Sequence, residues 1–366
     1  MTTSRRQLAA LHRWTGFTLG LFIMVVALTG AAMAMRPQID PLINAGLLRS
    51  ASCHAPLPLD TLVANARSAA GGAGAFGVLR LAGVPDATVH VRFSDDRWFY
   101  MEPCSGAVLG VEDRYRGVFG TLDFLHRFKY LKNGDLVSGS LACIFVLVLL
   151  LGGLALWWPA STRALRHSLT VQHRLRGRAF SLSLHKTVAL YASPILLVSA
   201  LTGVLQAFEW GERSLLVLTA SVPAPGPGKS TVVAGVERLS IERHWQTARQ
   251  MVPNAQATLL QYPKKANEPV RFELIGPDAP HGAARSYLSL DAYSGAVLRF
   301  APYENASRGH KLFLWLIALH TGLLGGLVGQ LLLMLGALAV PVLAVAGLSS
   351  YLRRRSLPST LLHRPS

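Results

Sequence analysis

Charge is what this chain has least of. Only 15% of its 366 residues are Asp, Glu, Lys or Arg, against about 25% in ordinary soluble domains, and its mean hydropathy is +0.35. Those values point away from a water-soluble globule and toward a membrane protein. Acidic residues are scarcer still, 19 against 36 basic ones, for a formal charge of +17. Cysteines number three, too few for a disulfide scaffold. No G-x-G-x-x-G follows a predicted strand, so a dinucleotide domain is excluded too.

The missing acids are missing in particular places. Residues 1–35 hold Arg5, Arg6 and Arg13; residues 160–186 hold Arg163, Arg166, Arg174, Arg176, Arg178 and Lys186; the tail 353–366 holds Arg353, Arg354, Arg355 and Arg364. None of the three contains Asp or Glu, and together they carry +13 of the +17. Between them lie apolar runs long enough to cross a bilayer, which takes about 20 residues. Helical spans are expected over 1–35 (apolar from 14), 137–159, 187–208 and 327–352. Four spans put all three basic pieces on one side, and the positive-inside rule makes that side cytoplasmic, with both termini there. The charge therefore reads as topology, with membrane lipid as a partner and no nucleic acid.

The two long connections, 36–136 and 209–326, are then extracytoplasmic. Each reads as a small α+β module: a helical stretch ("LDTLVANARSAAG", "SIERHWQTARQMV") followed by alternating runs and a Ser-Gly turn. Cys53 and Cys104 both fall in the first connection, where an oxidising compartment permits a disulfide; two free thiols are the alternative. Cys143 lies inside the second span. "SRRQLAAL" followed by an apolar run and "AAMA" imitates a cleavable twin-arginine signal. Its internal copy at 184–203 argues for a retained span instead.

That copy belongs to a wider repetition. "ALTG" stands at 27–30 and 200–203, and "SGAVL" at 105–109 and 294–298. His12 and His185 each precede the glycine of "ALTG" by 18 residues; His126 and His320 each precede an aromatic, Trp157 and Tyr351, by 31. An 18-residue helix is about 27 Å long, nearly the hydrocarbon thickness, whereas 31 residues would reach about 46 Å. His126 and His320 are therefore expected on short pre-helices, set off by "KNGDLVSGS" and "TGLLGGLVG". The result is two histidine pairs, His12 with His185 at the cytoplasmic face and His126 with His320 at the other.

Ionisable groups in or beside a span are costly and tend to be functional. Two neutral imidazoles from facing helices can clamp a haem iron, as axial ligands do in b-type cytochromes. Gly16, Gly20, Gly322, Gly325, Gly326 and Gly329 would leave room for a flat macrocycle, and Arg13, Lys186 and Arg127 adjoin ligands and could pair with its propionates. A lone histidine at an interface is more often a snorkelling or capping group; four at repeated positions favour ligation. His310, ten residues before His320, is the rival for that position.

At "LHRWTGFTLGLFIMVVALTG", "FLHRFKYL" leading into "GGLALWWP", "LHKTVALYASPILLVSALTG" and "LHTGLLGGLVGQLLL", the chain resembles the PepSY-associated transmembrane proteins. The resemblance spans nearly the whole chain, and more faintly the outer modules resemble PepSY domains. It implies a four-helix inner-membrane protein with periplasmic PepSY-like modules. Among the members it resembles are di-haem ferric-siderophore reductases, which release iron as Fe(II) in the periplasm. Carried over, the ligands of two b haems fall on His12, His185, His126 and His320. "HKTVALY" departs from the pattern in lacking the Trp-Gly that follows the first histidine.

The expected fold is thus a mainly α membrane protein, a duplicated four-helix bundle bearing two α+β modules. The expected function is an oxidoreductase passing electrons from a partner reductase or quinol to a ferric siderophore. Two alternatives remain in view: a non-redox membrane anchor whose PepSY-like modules bind a peptide or protease, and a transmembrane reductase of another periplasmic acceptor.

Overall fold

The structure is a computed structural model that describes residues 3–72, 74–159 and 161–355. The basic tail from 356 onward, with Arg364, lies outside the described residues. The chain divides into two compact units. One holds four helices long and apolar enough to cross a membrane: Thr3–Ala34, Gly134–Trp157, Gly177–Ala207 and Gly326–Arg353. With the antiparallel sheet of the other unit, this makes a membrane protein of mixed α and β content.

The spans start earlier than hydropathy suggests. The third begins at Gly177 rather than 187, and the second at Gly134 rather than 137. Apolarity marks the membrane-facing part of a helix, not its ends. Arg178 and Lys186 are good helix formers, so the helix extends past the apolar run through them. His185 consequently sits a little over two turns inside its helix rather than at its start. Outward faces stay apolar, with Leu21, Leu147, Leu335 and Val345 all more than half exposed, as lipid contact requires. Inside, Ile23, Val146, Leu150, Ala192, Leu196 and Val340 form a small dry cluster.

The second span is not a uniform α-helix. Gly134–Ile144 and Gly152–Trp157 are α-helical, but Phe145–Leu151 between them is a π-helix, a form that concentrates at functional sites. In the third span, Pro194 cannot donate to the carbonyl of Leu190, and Ser193 Oγ donates to it instead at 2.9 Å.

The other unit (Arg36–Thr121 with Glu212–Ala318) is built on one eight-stranded antiparallel sheet. Its strands are β1 (Phe76–Ala82), β2 (Val89–Phe93), β3 (Arg97–Met101), β4 (Val108–Asp113), β5 (Ala257–Gln261), β6 (Val270–Ile275), β7 (Ser286–Leu290) and β8 (Val297–Ala301), in the order β4-β3-β2-β1-β5-β6-β7-β8. Two small α+β modules are expected from the sequence. The two meanders lie in one sheet, because β1 pairs with β5 from Val78↔Gln261 to Ala82↔Ala257. Left apart, each would present an unpaired edge.

Alternate residues build one apolar face. Leu79, Val91, Phe99, Met101, Leu260, Phe272, Leu288 and Leu290 are at most 1% exposed. They pack with Leu62 and Ala66 of the helix Leu59–Ala69 and with Ile241 and Ala248 of Ile241–Met251. Each fully buried large side chain contributes about 1.5–3 kcal/mol relative to exposure. The helices exchange caps: Asp60 accepts from the amides of Ile241 and Glu242 at 2.9 Å each, and Glu242 accepts from the Leu59 amide at 3.0 Å. Each carboxylate thereby satisfies helix-end N–H groups that have no partner in their own helix.

"SGAVL" is legible in the same terms. It opens the last strand of each meander after a tight turn whose glycine, Gly106 (φ 69°) or Gly295 (φ 72°), is left-handed. A carboxylate three residues before the serine holds that turn. Asp291 accepts from the amides of Tyr293 and Ser294 at 2.9 Å, and Glu102 from those of Cys104 and Ser105. Cys53 and Cys104 are joined as a disulfide with Cα atoms 5.6 Å apart.

Asp60→Ala removes the two bonds to the Ile241 and Glu242 amides and leaves only the Ser240 side chain capping that helix, on the Arg243 amide. It should lower stability by about 1–2 kcal/mol, read as a drop in the thermal midpoint of the full chain in detergent, while Asp60→Asn, with one accepting oxygen in place of two, should recover only part of the loss.

Candidate functional site

Four histidines line the cavities of the membrane unit, and each is seated the same way. His12, on the first span, points Nδ1 at the Val148 carbonyl of the second span at 3.2 Å, and its ring lies against Gly153. His185, on the third span, does this with Leu343 (2.9 Å) and Gly347 of the fourth. His126 ends the pre-helix Val118–His126 and meets Val26 (3.0 Å) and Gly30 of the first span. His320, near the end of the pre-helix Arg308–Thr321, meets Ser199 (2.9 Å) and Gly203 of the third.

Glycine is required by geometry. A helical side chain covers the turn N-terminal to its own Cα, so a side chain at position 30 would lie over the carbonyl of residue 26. Without one, that carbonyl is open to an incoming N–H. The same four-residue offset holds at 203/199 and 347/343. It becomes five at 153/148, where the intervening helix is the π-turn. A Cβ added at Gly30, Gly153 or Gly203 would come within 3.0–3.1 Å of the histidine Cε1.

A carbonyl can only accept, so Nδ1 carries the proton in all four rings and Nε2 is left as a bare lone pair. Near His126 and His320 a threonine reinforces the seat: Thr29 Oγ1 is 3.1 Å and Thr202 Oγ1 3.2 Å from Nδ1. These are the Thr-Gly pairs of "ALTG". They hold a histidine of the opposite site rather than merely closing a span. Burial, and then the facing His320, hold the His126 imidazole down at about 4, and burial lowers His320 as well. Both shifts favour the neutral ring.

The rings face one another in pairs. His12 and His185 have centroids 6.3 Å apart, and His126 and His320 6.5 Å. Two imidazoles each bonded by one nitrogen at about 2 Å to a metal between them would have centroids roughly 6.3 Å apart. Each pair lines a cavity, about 360 Å³ at His12/His185 and about 540 Å³ at His126/His320. Both lie in the range of cofactor pockets. Ile23, Phe145 and Val340 line both cavities, forming an apolar partition between them.

The two cavities differ in charge. Arg13, Arg178 and Lys186 line the His12/His185 cavity with no acidic residue beside them. Arg13 Nε and Trp157 Nε1, both from lining residues, are buried without a hydrogen-bond partner. An occupant carrying carboxylates would satisfy them. Arg127 lines the other cavity, but its Nε donates to Asp135 at 2.8 Å and its Nη1 lies 3.6 Å from Asp123.

Not every expected glycine contributes. Gly16 and Gly20 line the His12/His185 cavity, but Gly322, Gly325, Gly326 and Gly329 line neither. Three of them have positive φ (74°, 87° and 55°) and make the turn from the pre-helix into the fourth span; a Cβ on Gly329 would strike the Leu324 carbonyl at 2.3 Å. His310 belongs to the sheet-bearing unit and lines neither cavity. Its Nδ1 is 2.6 Å from Glu212 Oε1 and its ring packs on Tyr287. The seats at Gly30, Gly153, Gly203 and Gly347 are not anticipated from the sequence, although the repeated "ALTG" was the signal for two of them.

A family model described as "PepSY-associated TM region" matches residues 9–354. Comparison with curated proteins gives no match.

The His310 hydrogen bond holds the Glu212 carboxyl below its ordinary value, outweighing burial. The stability this supplies is full above the unfolded carboxyl pKa and lost as pH falls through the lower folded one. The thermal-midpoint difference between the native chain and Glu212→Gln should therefore shrink as pH drops below about 4.

Proposed function

The chain belongs to the PepSY-associated transmembrane family, and from that premise we propose an inner-membrane electron-transfer protein that reduces a ferric siderophore in the periplasm and so releases Fe(II). The carrying observation is the two facing pairs of imidazoles, each ring fixed by an Nδ1–H bond that leaves Nε2 bare. Such outer hydrogen bonds set the tautomer and orientation of a metal-ligating histidine and raise its basicity. His12 with His185, and His126 with His320, would each hold one b haem; the haems, when bound, supply the one-electron carriers that the side chains lack.

The chain's own residues do the rest. Arg13 and Trp157 offer buried N–H donors to propionate oxygens, with Lys186 adding charge, whereas Arg127 reaches a propionate only by sharing itself with Asp135. Ile23, Phe145 and Val340 keep water out of the middle of the bundle. The basic connections support a cytoplasmic His12/His185 end and cytoplasmic termini under the positive-inside rule. The sheet then lies in the periplasm as two PepSY-like modules, and the matching order of elements supports their origin by duplication. A partner reductase or quinol supplies electrons, one for each Fe(III) reduced.

Colour tests this. Purified full-length protein should show Soret and α bands that shift with dithionite, at about two b haems per chain. Ferric siderophore should reoxidise it rapidly. His185→Ala should leave about one haem, and so should Gly203→Val, whose side chain displaces His320 without removing a ligand. A colourless protein from haem-replete cells would sink the proposal.

A further inference from the structure

The sheet's second face, opposite its packed helices, is polar, and at one place its charges are unbalanced. Cross-strand register puts Arg80 beside His90 and Tyr100 in one row, and Arg92 beside Trp98 and Glu112 in the next. Arg80 and Arg92 both stack on Trp98, their guanidinium carbons 4.4 and 5.0 Å from its ring centre. Trp98 is 7% exposed beneath them, while Arg80 itself stays open to solvent. A guanidinium held flat on an aromatic ring is pre-organised and keeps its N–H edge for another partner.

The nearby carboxylates do not supply that partner. Asp40 is taken by Arg36 at 2.9 Å, and Glu112 accepts from Tyr100 at 2.8 Å. Arg92 and Arg114 share Asp96, an exposed carboxylate, at 3.4 and 3.5 Å. Arg80 makes no ion pair with any described residue.

The second meander is a built-in comparison. Register and the shared "SGAVL" turn make Gln261, Glu273 and Tyr287 the counterparts of Arg80, Arg92 and Trp98. There the polar groups close on themselves: Gln261 donates to Glu273 at 3.1 Å, Arg285 pairs with Glu273 at 3.0 Å, and Tyr287 packs on His310. Glu273 is thus paired where Arg92 is cationic, and an amide stands where Arg80 does, with Arg271 opposite it in the place of His90.

We infer that the face formed by Arg80, Arg92 and Trp98 binds the incoming ferric chelate through anionic oxygens, so that the substrate class is a carboxylate- or catecholate-bearing, net negative siderophore. This rests on the proposed reductase function but is tested apart from it, because gallium(III) complexes mimic the ferric ones and accept no electron.

Calorimetric titration of the full-length protein in detergent should show trianionic gallium tris-catecholate binding at least about tenfold more tightly than neutral gallium tris-hydroxamate. Arg80→Gln and Arg92→Gln should each weaken the anionic complex by about tenfold with the thermal midpoint unchanged. Arg80→Lys, which keeps the charge and loses the planar fork, should fall between, and Gln261→Ala in the second meander should bind like the native chain. Equal affinity for the two chelates, no effect of either glutamine substitution, or equal competition by glycerol phosphate as a lipid-headgroup mimic would each overturn the inference. Gallium binding by a chain that proves colourless would leave this site standing and remove the reductase reading.

Discussion

The membrane unit depends on one contact made four times: an imidazole N–H reaching a backbone carbonyl of another helix, across a glycine that leaves the carbonyl uncovered. A histidine inside an apolar bundle is expensive unless its polar atoms are matched. Each ring spends Nδ1–H on a carbonyl that already closes a helical hydrogen bond and uses that oxygen's second lone pair. The ring is satisfied on one edge and bare on the other, with nothing but glycine behind it. Cavities, ring spacing and the π-turn of the second span are all arranged around that requirement.

The sheet-bearing unit follows a different constraint. Each meander alone would offer an unpaired edge and a helix with bare N-terminal amides. Joining β1 to β5 removes one edge from each, leaving β4 and β8 at the ends of the sheet, and the exchange between Asp60 and Glu242 helps close the helix ends. The inner face is uniform from one meander to the other, Leu79 against Leu260 and Phe99 in the place of Leu288. The outer face is not, and the difference between Arg92 and Glu273 shows how far side chains on one backbone plan can diverge once packing no longer fixes them.

Much of this was legible in the sequence, and the reasons are specific. Four apolar runs reveal four helices because bilayer thickness sets their length. The 18-residue spacing from histidine to glycine reveals equivalent depth, so His12 and His185 fall together. Helix ends were less legible, because Arg178 and Lys186 are helical yet not apolar. The π-turn left no mark in "FVLVLLL", whose residues suit an α-helix equally well. Glycine reads in the sequence as space for an occupant, and Gly16 and Gly20 line a cavity. At Gly30, Gly153, Gly203 and Gly347 it instead exposes a carbonyl to a residue far away in sequence, and no local pattern encodes the partner.

The seats also have a direction. His12 reaches from the first span to the second, and His126 from the run-in to the second span back to the first. His185 and His320 tie the third and fourth spans in the same reciprocal way. Every one of these bonds closes inside its own helical hairpin, and none crosses from one hairpin to the other. The leading hairpin can therefore complete its buried polar chemistry while the ribosome is still making the trailing one. The two hairpins meet through apolar packing, with Ile23, Val146 and Leu150 of one against Ala192, Leu196 and Val340 of the other.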